Sequence, residues 1–238
     1  MTESVFASLT FSALAGPMLL TGWAWLGSLL LHATLSVPLA LWLSRRETRL
    51  ATVMGFVSTL PLIFPPIALG YLLMVLLGQH GLVGYWLLEW WNWRVLFSPT
   101  AVIFAAWVAG VPLVVRPLRA SFSSNAVRDL EAAGALCGLS PVRTFFLITL
   151  PLVRRSLAAA FLLASARAIG EVGITLMLGG NIEGRTATVS LEIFNAVGRG
   201  DFEVATALCG VLAVISLVLY ALLERLGHTP GDQESIQS

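Results

Sequence analysis

Lysine is absent from the chain: all 14 basic residues are arginine. A nucleotide-binding P-loop needs a lysine on the β- and γ-phosphates, so any ATP that this protein uses must be bound by another chain. Cysteine is scarce. Cys137 and Cys209 make no disulfide framework and read as small packing residues. The three histidines, His32, His80 and His228, are scattered without ligand spacing, which argues against a metal site. Charge is thin, at 11% of residues against roughly 25% in soluble proteins. A net charge of +1 gives no support to a nucleic-acid partner.

Apolar sequence fills the space that charge leaves. Hydrophobic residues make up 57% of the 238 positions, with a mean hydropathy of +0.86. The chain therefore reads as an all-α, polytopic membrane protein. At about 20 apolar residues per crossing, its length allows five or six spans with short connections and no separate soluble domain. Residues 1–238 read as a single transmembrane domain.

The first apolar run, 5–20, contains Gly16 and Pro17 and lacks a basic leader, so a cleaved signal peptide is disfavoured. It is either a short first span or the outer half of one long broken helix. The next run, 23–43, ends at Arg45, Arg46 and Arg49, which mark a cytoplasmic end. Run 52–77 carries Pro61, Pro65 and Pro66. Each proline removes a backbone donor, so this span should be kinked or unwound near its middle. Discontinuous helices of that kind frame transporter sites, and Pro65 and Pro66 are candidates for the lining of a pathway. Residues 78–98, with Trp86, Trp90, Trp91 and Trp93, read as an outer interfacial helix. Spans follow at 100–118, 156–178 and 204–223, with an outer loop holding one short helix at 179–203 and a flexible cytoplasmic tail at 227–238. Ten arginines then fall inside, three (94, 185 and 199) outside and Arg167 within a span. Arg167 and Glu171, spaced i,i+4, share a helix face. They are either a gate or anion-contact element or a structural ion pair. Arg116 and Arg119 either escort an anion or snorkel to the inner interface.

The longest stretch unable to sit in lipid is 123–151, SSNAVRDLEAAGALCGLSPVRTFFLITLP. Asn125 suits a helix cap, Gly138 a left-handed terminator, and Ser140 with Pro141 the start of a second helix. This predicts a short helix, a tight turn and a helix returning to the membrane. Glu131-Ala132-Ala133, then Gly138, then Ile148-Thr149-Leu150-Pro151, resembles the EAA loop of membrane subunits of ATP-binding-cassette importers. Glu131 stands seven residues before Gly138, where the common form has six. LPLIFPPIALGYLLM, ARAIGEVGITLMLGGNI and EGRTATVSLEIF extend the resemblance over nearly the whole chain, most closely to molybdate and tungstate permease subunits.

That resemblance implies a type I importer permease fold in the cell inner membrane, with a cytoplasmic coupling helix and no catalytic residues or cofactor of its own. It implies that Arg128, Asp129, Glu131, Ala132, Ala133 and Gly138 dock a cytoplasmic ATPase. Two copies of the chain would enclose one path, and a periplasmic or extracellular binding protein would deliver the oxyanion. Molybdate is the first expected substrate, then tungstate, with sulfate third. The alternatives of another class are a self-sufficient secondary transporter or channel, and a structural or assembly membrane protein.

Overall fold

The computed structural model describes residues 11–227, whose regular elements are all helices with no strand among them. The tail from residue 228 and the start of the first apolar run lie outside the described residues. Helix α1 (Phe11–Leu31) passes through a π-turn (His32–Ser36) into α2 (Val37–Arg45). From residue 11 on, the two N-terminal apolar runs thus form one rod. Pro17 sits inside it without breaking it, and Thr21 Oγ1 donates to the Pro17 carbonyl at 2.8 Å.

The next crossing is interrupted. It comprises α3 (Arg49–Val57), α4 (Leu60–Ile63) and, after a break at Phe64 and Pro65, α5 (Pro66–Leu77). On the tryptophan-rich side, α6 (Gly84–Trp91) ends at Asn92, in the left-handed region at φ 48°. Its Tyr85, Trp86, Trp90 and Trp91 contact one another edge to face and remain exposed, as an interfacial belt requires.

Helix α7 (Pro99–Phe122) is the hub. Ser98 caps it by accepting from the Ala101 amide, and Pro99 occupies the first turn. Ala101, Ala105, Ala109 and Gly110 are all buried along it. Lipid tails are as apolar as leucine, so close approach of small residues, rather than water exclusion, favours helix association here. Towards the cytoplasmic end Val114, Leu118 and Phe122 pack with Leu43, Val153 and Ala160; towards the outer end Ala101 and Ala105 pack with Ile174 and Leu178.

The polar stretch forms α8 (Asn125–Leu136), then α9 (Pro141–Thr144), a second π-turn (Phe145–Thr149) and α10 (Leu150–Ile169). Gly138 ends α8 at φ 81°, as expected, and Ser140 caps α9. Asn125 is the first helical residue rather than the cap, which is Ser124. The return helix merges with the span, and the chain breaks at 170–172, so the apolar rod runs Pro141–Ile169 rather than 156–178. Arg154 and Arg155 stay exposed on it, which long side chains permit near an interface.

Two short helices follow, α11 (Gly173–Gly179) and α12 (Val189–Gly198), before the last span, α13 (Phe202–Gly227). Segment 179–203 contains its one expected helix but is not a simply solvated loop. Thr186 to Leu191 are buried because hydroxyls satisfy the backbone. Thr186 Oγ1 donates to the Gly179 carbonyl and accepts from the Ile182 amide, Thr21 Oγ1 accepts from the Val189 amide, and Ser190 donates to the Ile169 carbonyl. Among the described residues four continuous helices are long and apolar enough to cross a membrane, and the interrupted crossing adds to them. Leu19, Trp23 and Leu30 of α1 and Val214, Leu217 and Tyr220 of α13 remain exposed, as lipid-facing side chains would be.

Candidate functional site

Two interruptions in the helical ladder meet. Pro65 and Pro66 carry no amide, so the carbonyls of Pro61 and Leu62 lose their helical partners, and the chain extends at Phe64 and Pro65 (ψ 140° and 130°). The second interruption, residues 170–172, separates α10 from α11. Glycines bring the two together. A Cβ on Gly173 would lie 2.8 Å from Pro66 Cβ, and one on Gly70 would lie 2.9 Å from Met177 Cβ. The backbones of α5 and α11 therefore touch with no side chain between them. Of the sequence-predicted pathway residues, Pro65 and Pro66 border one break and Glu171 lies in the other. Pro65 and Pro66 are exposed, although the α4–α5 crossing is apolar throughout.

Arg167 and Glu171 form the expected ion pair, with Glu171 Oε2 facing the guanidinium. Their environments differ: the Glu171 side chain is 1% exposed and that of Arg167 31%. Glu171 has a second task that i,i+4 spacing did not reveal. Its Oε1 accepts from the Ile174 amide at 2.7 Å and so satisfies an orphan donor at the start of α11. One carboxylate thus ties the last turn of α10 to the first turn of α11 across the break.

On the cytoplasmic side, α8 has two distinct faces. Val127 and Gly134 are buried, and a Cβ at Gly134 would meet Ile148 Cδ1 at 2.7 Å. Glu131 lies on this inner face. Its Oε1 accepts from Arg45 Nη2 at 2.6 Å and from the Thr149 hydroxyl, while Arg128 reaches towards the Ser44 carbonyl at 3.5 Å. The outer face presents Asp129, Leu130, Ala132, Ala133 and Leu136, the last 91% exposed. The six predicted docking residues therefore divide. Arg128 and Glu131 turn to the end of the first span, Asp129, Ala132 and Ala133 face outward, and Gly138 shapes the turn.

His32 is a buried polar centre that its isolated position in the sequence concealed. Its Nδ1 is 3.0 Å from Ser36 Oγ, which also accepts from Trp107 Nε1 at 3.1 Å. Its Nε2 has no partner and lies over Gly110, where a Cβ would approach it to 2.5 Å. Only the π-turn and the distant Trp107 bring these groups together. Outside the spans, Arg199 donates to Glu192 at 2.6 Å, and that hydrogen bond holds the guanidinium above its ordinary pKa. Among the described residues no cluster of three metal-ligating side chains occurs.

Residues 33–228 match the family of binding-protein-dependent transport system inner membrane components. The chain is 38% identical to the molybdenum transport system permease protein ModB of Azotobacter vinelandii over 78% of its own length and 82% of that protein's. It is 35% identical to ModB of Haemophilus influenzae, over 80% and 85% of the two lengths. To a putative molybdenum transport system permease protein of Bacillus subtilis it is 33% identical, over 79% and 82%.

Proposed function

The chain belongs to the binding-protein-dependent transport system inner membrane components, and on that footing we propose that it builds the translocation path of an ATP-driven importer of molybdate. It is a multi-pass cell membrane protein. Two copies of the single transmembrane domain enclose the path, a cytoplasmic ATPase supplies energy, and an external binding protein delivers the dianion. The relatives named as molybdenum permeases support the substrate. Tungstate, a dianion of the same shape, is the nearest competitor, and sulfate follows.

The observation that carries this reading is the exposed break at Phe64 and Pro65. Irregular backbone at membrane depth is tolerated only where protein or a water-filled cavity covers it. A second copy and an aqueous path between the copies supply that cover. The break residues Pro65 and Pro66, with Glu171 and Arg167 across the α5–α11 contact, then form the moving gate. Such a gate rocks between two arrangements, as discontinuous helices do in transporters.

Coupling follows from the two faces of α8. Its outward residues, Asp129, Leu130, Ala132, Ala133 and Leu136, enter the ATPase groove. Glu131 and Arg128 pass the displacement to the end of the first span, and Gly138 keeps the turn tight. No chemistry on the transported ion is needed, so the chain requires neither catalytic residues nor a cofactor.

Reconstitution tests this reading. The chain is placed in proteoliposomes with its ATPase and binding protein, and molybdate uptake is followed with tungstate and sulfate as competitors. ATP-dependent uptake blocked by tungstate, and weakly by sulfate, is expected. Uptake that proceeds without ATP, or without the ATPase bound, would overturn it.

A further inference from the structure

The cytoplasmic end of α7 and the first half of the interrupted crossing border an open cavity of about 490 Å³, which none of the roles above uses. The exposed side chains of Arg116 and Arg119 line it, about one helical turn apart and hence on one face of α7. Neither guanidinium has an ion-pair or hydrogen-bond partner among the described residues, and no carboxylate lines the cavity. The hydroxyls of the lining are already committed as donors. Ser58 and Thr59 both donate to the Gly55 carbonyl, at 2.8 and 2.9 Å, and Ser123 donates to the Arg119 carbonyl at 2.8 Å. The two guanidiniums are therefore the free donors of the cavity, each a planar fork suited to a pair of oxygens.

Gly55 completes the arrangement. A Cβ there would lie 3.2 Å from Arg119 Nη1, so its absence leaves the guanidinium room against α3. Snorkelling to the interface would require only that each arginine reach water. It does not account for the missing side chain at 55 beside Arg119, or for a lining that holds two arginines and no carboxylate. A multiply charged tetrahedral anion relieves the repulsion between the two and accepts from both forks.

We propose that Arg116 and Arg119 form a tetrahedral-oxyanion site on the cytoplasmic side of the break, the last station of the imported dianion before release. The inference rests on the importer reading above, which supplies the dianion. A phosphate headgroup of the inner leaflet offers the same chemistry, but the site is assigned to the free oxyanion because its wall from Thr52 to Thr59, α3 and the turn after it, leads along the same crossing to the break. Accumulated oxyanion would re-enter it from the cytoplasm.

The test uses a full-length reporter, Thr52→Cys, in a background of Cys137→Ser and Cys209→Ser, assembled with the ATPase in vesicles. Thr52 lines the same cavity. An anionic methanethiosulfonate reagent should label Cys at 52 several-fold faster than a cationic one, and molybdate or inorganic phosphate on the ATPase side should slow labelling several-fold. Arg116→Gln with Arg119→Gln should abolish both effects. The proposal is overturned if neither anion protects. It is also overturned if protection instead follows phosphatidylglycerol content in otherwise phosphatidylcholine vesicles, which would assign the site to lipid. ATP-driven uptake by the reporter is measured in parallel. Uptake without protection removes this site alone, whereas protection by phosphate without uptake supports the site and counts against the importer.

Discussion

Arg45 and Glu131 are 86 positions apart in sequence and 2.6 Å apart in space. The first residue closes the first span, and the second lies on the cytoplasmic helix α8. Because Thr149, at the entry to α10, donates to the same carboxylate oxygen, Glu131 joins three segments, α2, α8 and the start of α10.

Breaking this link should cost coupling rather than folding. The Arg45 and Glu131 side chains are 34% and 18% exposed, and a partly exposed pair contributes about 0.2–1 kcal/mol. Glu131→Ala and Arg45→Ala should therefore leave thermal stability nearly unchanged while lowering the oxyanion taken up per ATP hydrolysed. The exchanged pair Arg45→Glu with Glu131→Arg should recover part of that ratio. A stoichiometry unaffected by either single change would remove Glu131 from the coupling route.

At the crossing of the two breaks, Gly173→Ala should destabilise the protein. The new methyl would stand 2.8 Å from Pro66 Cβ and 3.0 Å from the Ile67 nitrogen, and overpacking of this kind costs about 1–3 kcal/mol. Thermal melting in detergent and ATP-driven uptake should fall together. Unaltered melting would mean that α5 and α11 separate easily.

The Arg167–Glu171 pair separates structural from transport roles by its asymmetry. Glu171→Gln keeps an acceptor for the Ile174 amide, whereas Glu171→Ala leaves that buried donor unpaired, at about 1–3 kcal/mol. Melting temperatures should therefore fall further for Ala than for Gln. Arg167→Ala strands a carboxylate that is 1% exposed and should be as harmful as Glu171→Ala. If all three variants keep wild-type stability and lose only uptake, the pair belongs to the anion path and not to the scaffold.

A fourth test concerns His32 and Gly110. Alanine is normally preferred over glycine within a helix by about 1 kcal/mol, yet Gly110→Ala would bring a methyl to 2.5 Å from His32 Nε2. The clash should win, and the single variant should melt earlier. Adding His32→Ala removes the obstacle, so the double variant should lose much less than the sum of the two changes. Additive losses would show that the two residues do not interact.

Most of the architecture was legible because the bilayer enforces simple rules. Runs of apolar residues ending in arginine located the spans expected at 23–43, 100–118 and 204–223, Pro65 and Pro66 marked the interruption, and Gly138 marked the end of α8. Legibility failed where the deciding contact was long-range. Glu131 reads as a docking residue in its motif, but its orientation depends on Arg45. His32 reads as incidental until Trp107 and Gly110 are beside it. The second bond of Glu171, and the burial of Thr186 to Leu191 in a segment too polar to span, likewise depend on hydrogen bonds that composition does not encode.

The two π-turns bear on how much length variation the rods tolerate. Each of His32–Ser36 and Phe145–Thr149 holds one residue more than regular α geometry would, and a single helical residue corresponds to about 100° of rotation. Deleting one residue inside either turn would restore an unbroken α ladder while leaving the flanking faces in register. Deletion anywhere else along the same rods would swing a lipid face into the core. Sequences that have lost or gained a single position are therefore expected to do so at these two turns, which act as expansion joints in otherwise inflexible rods.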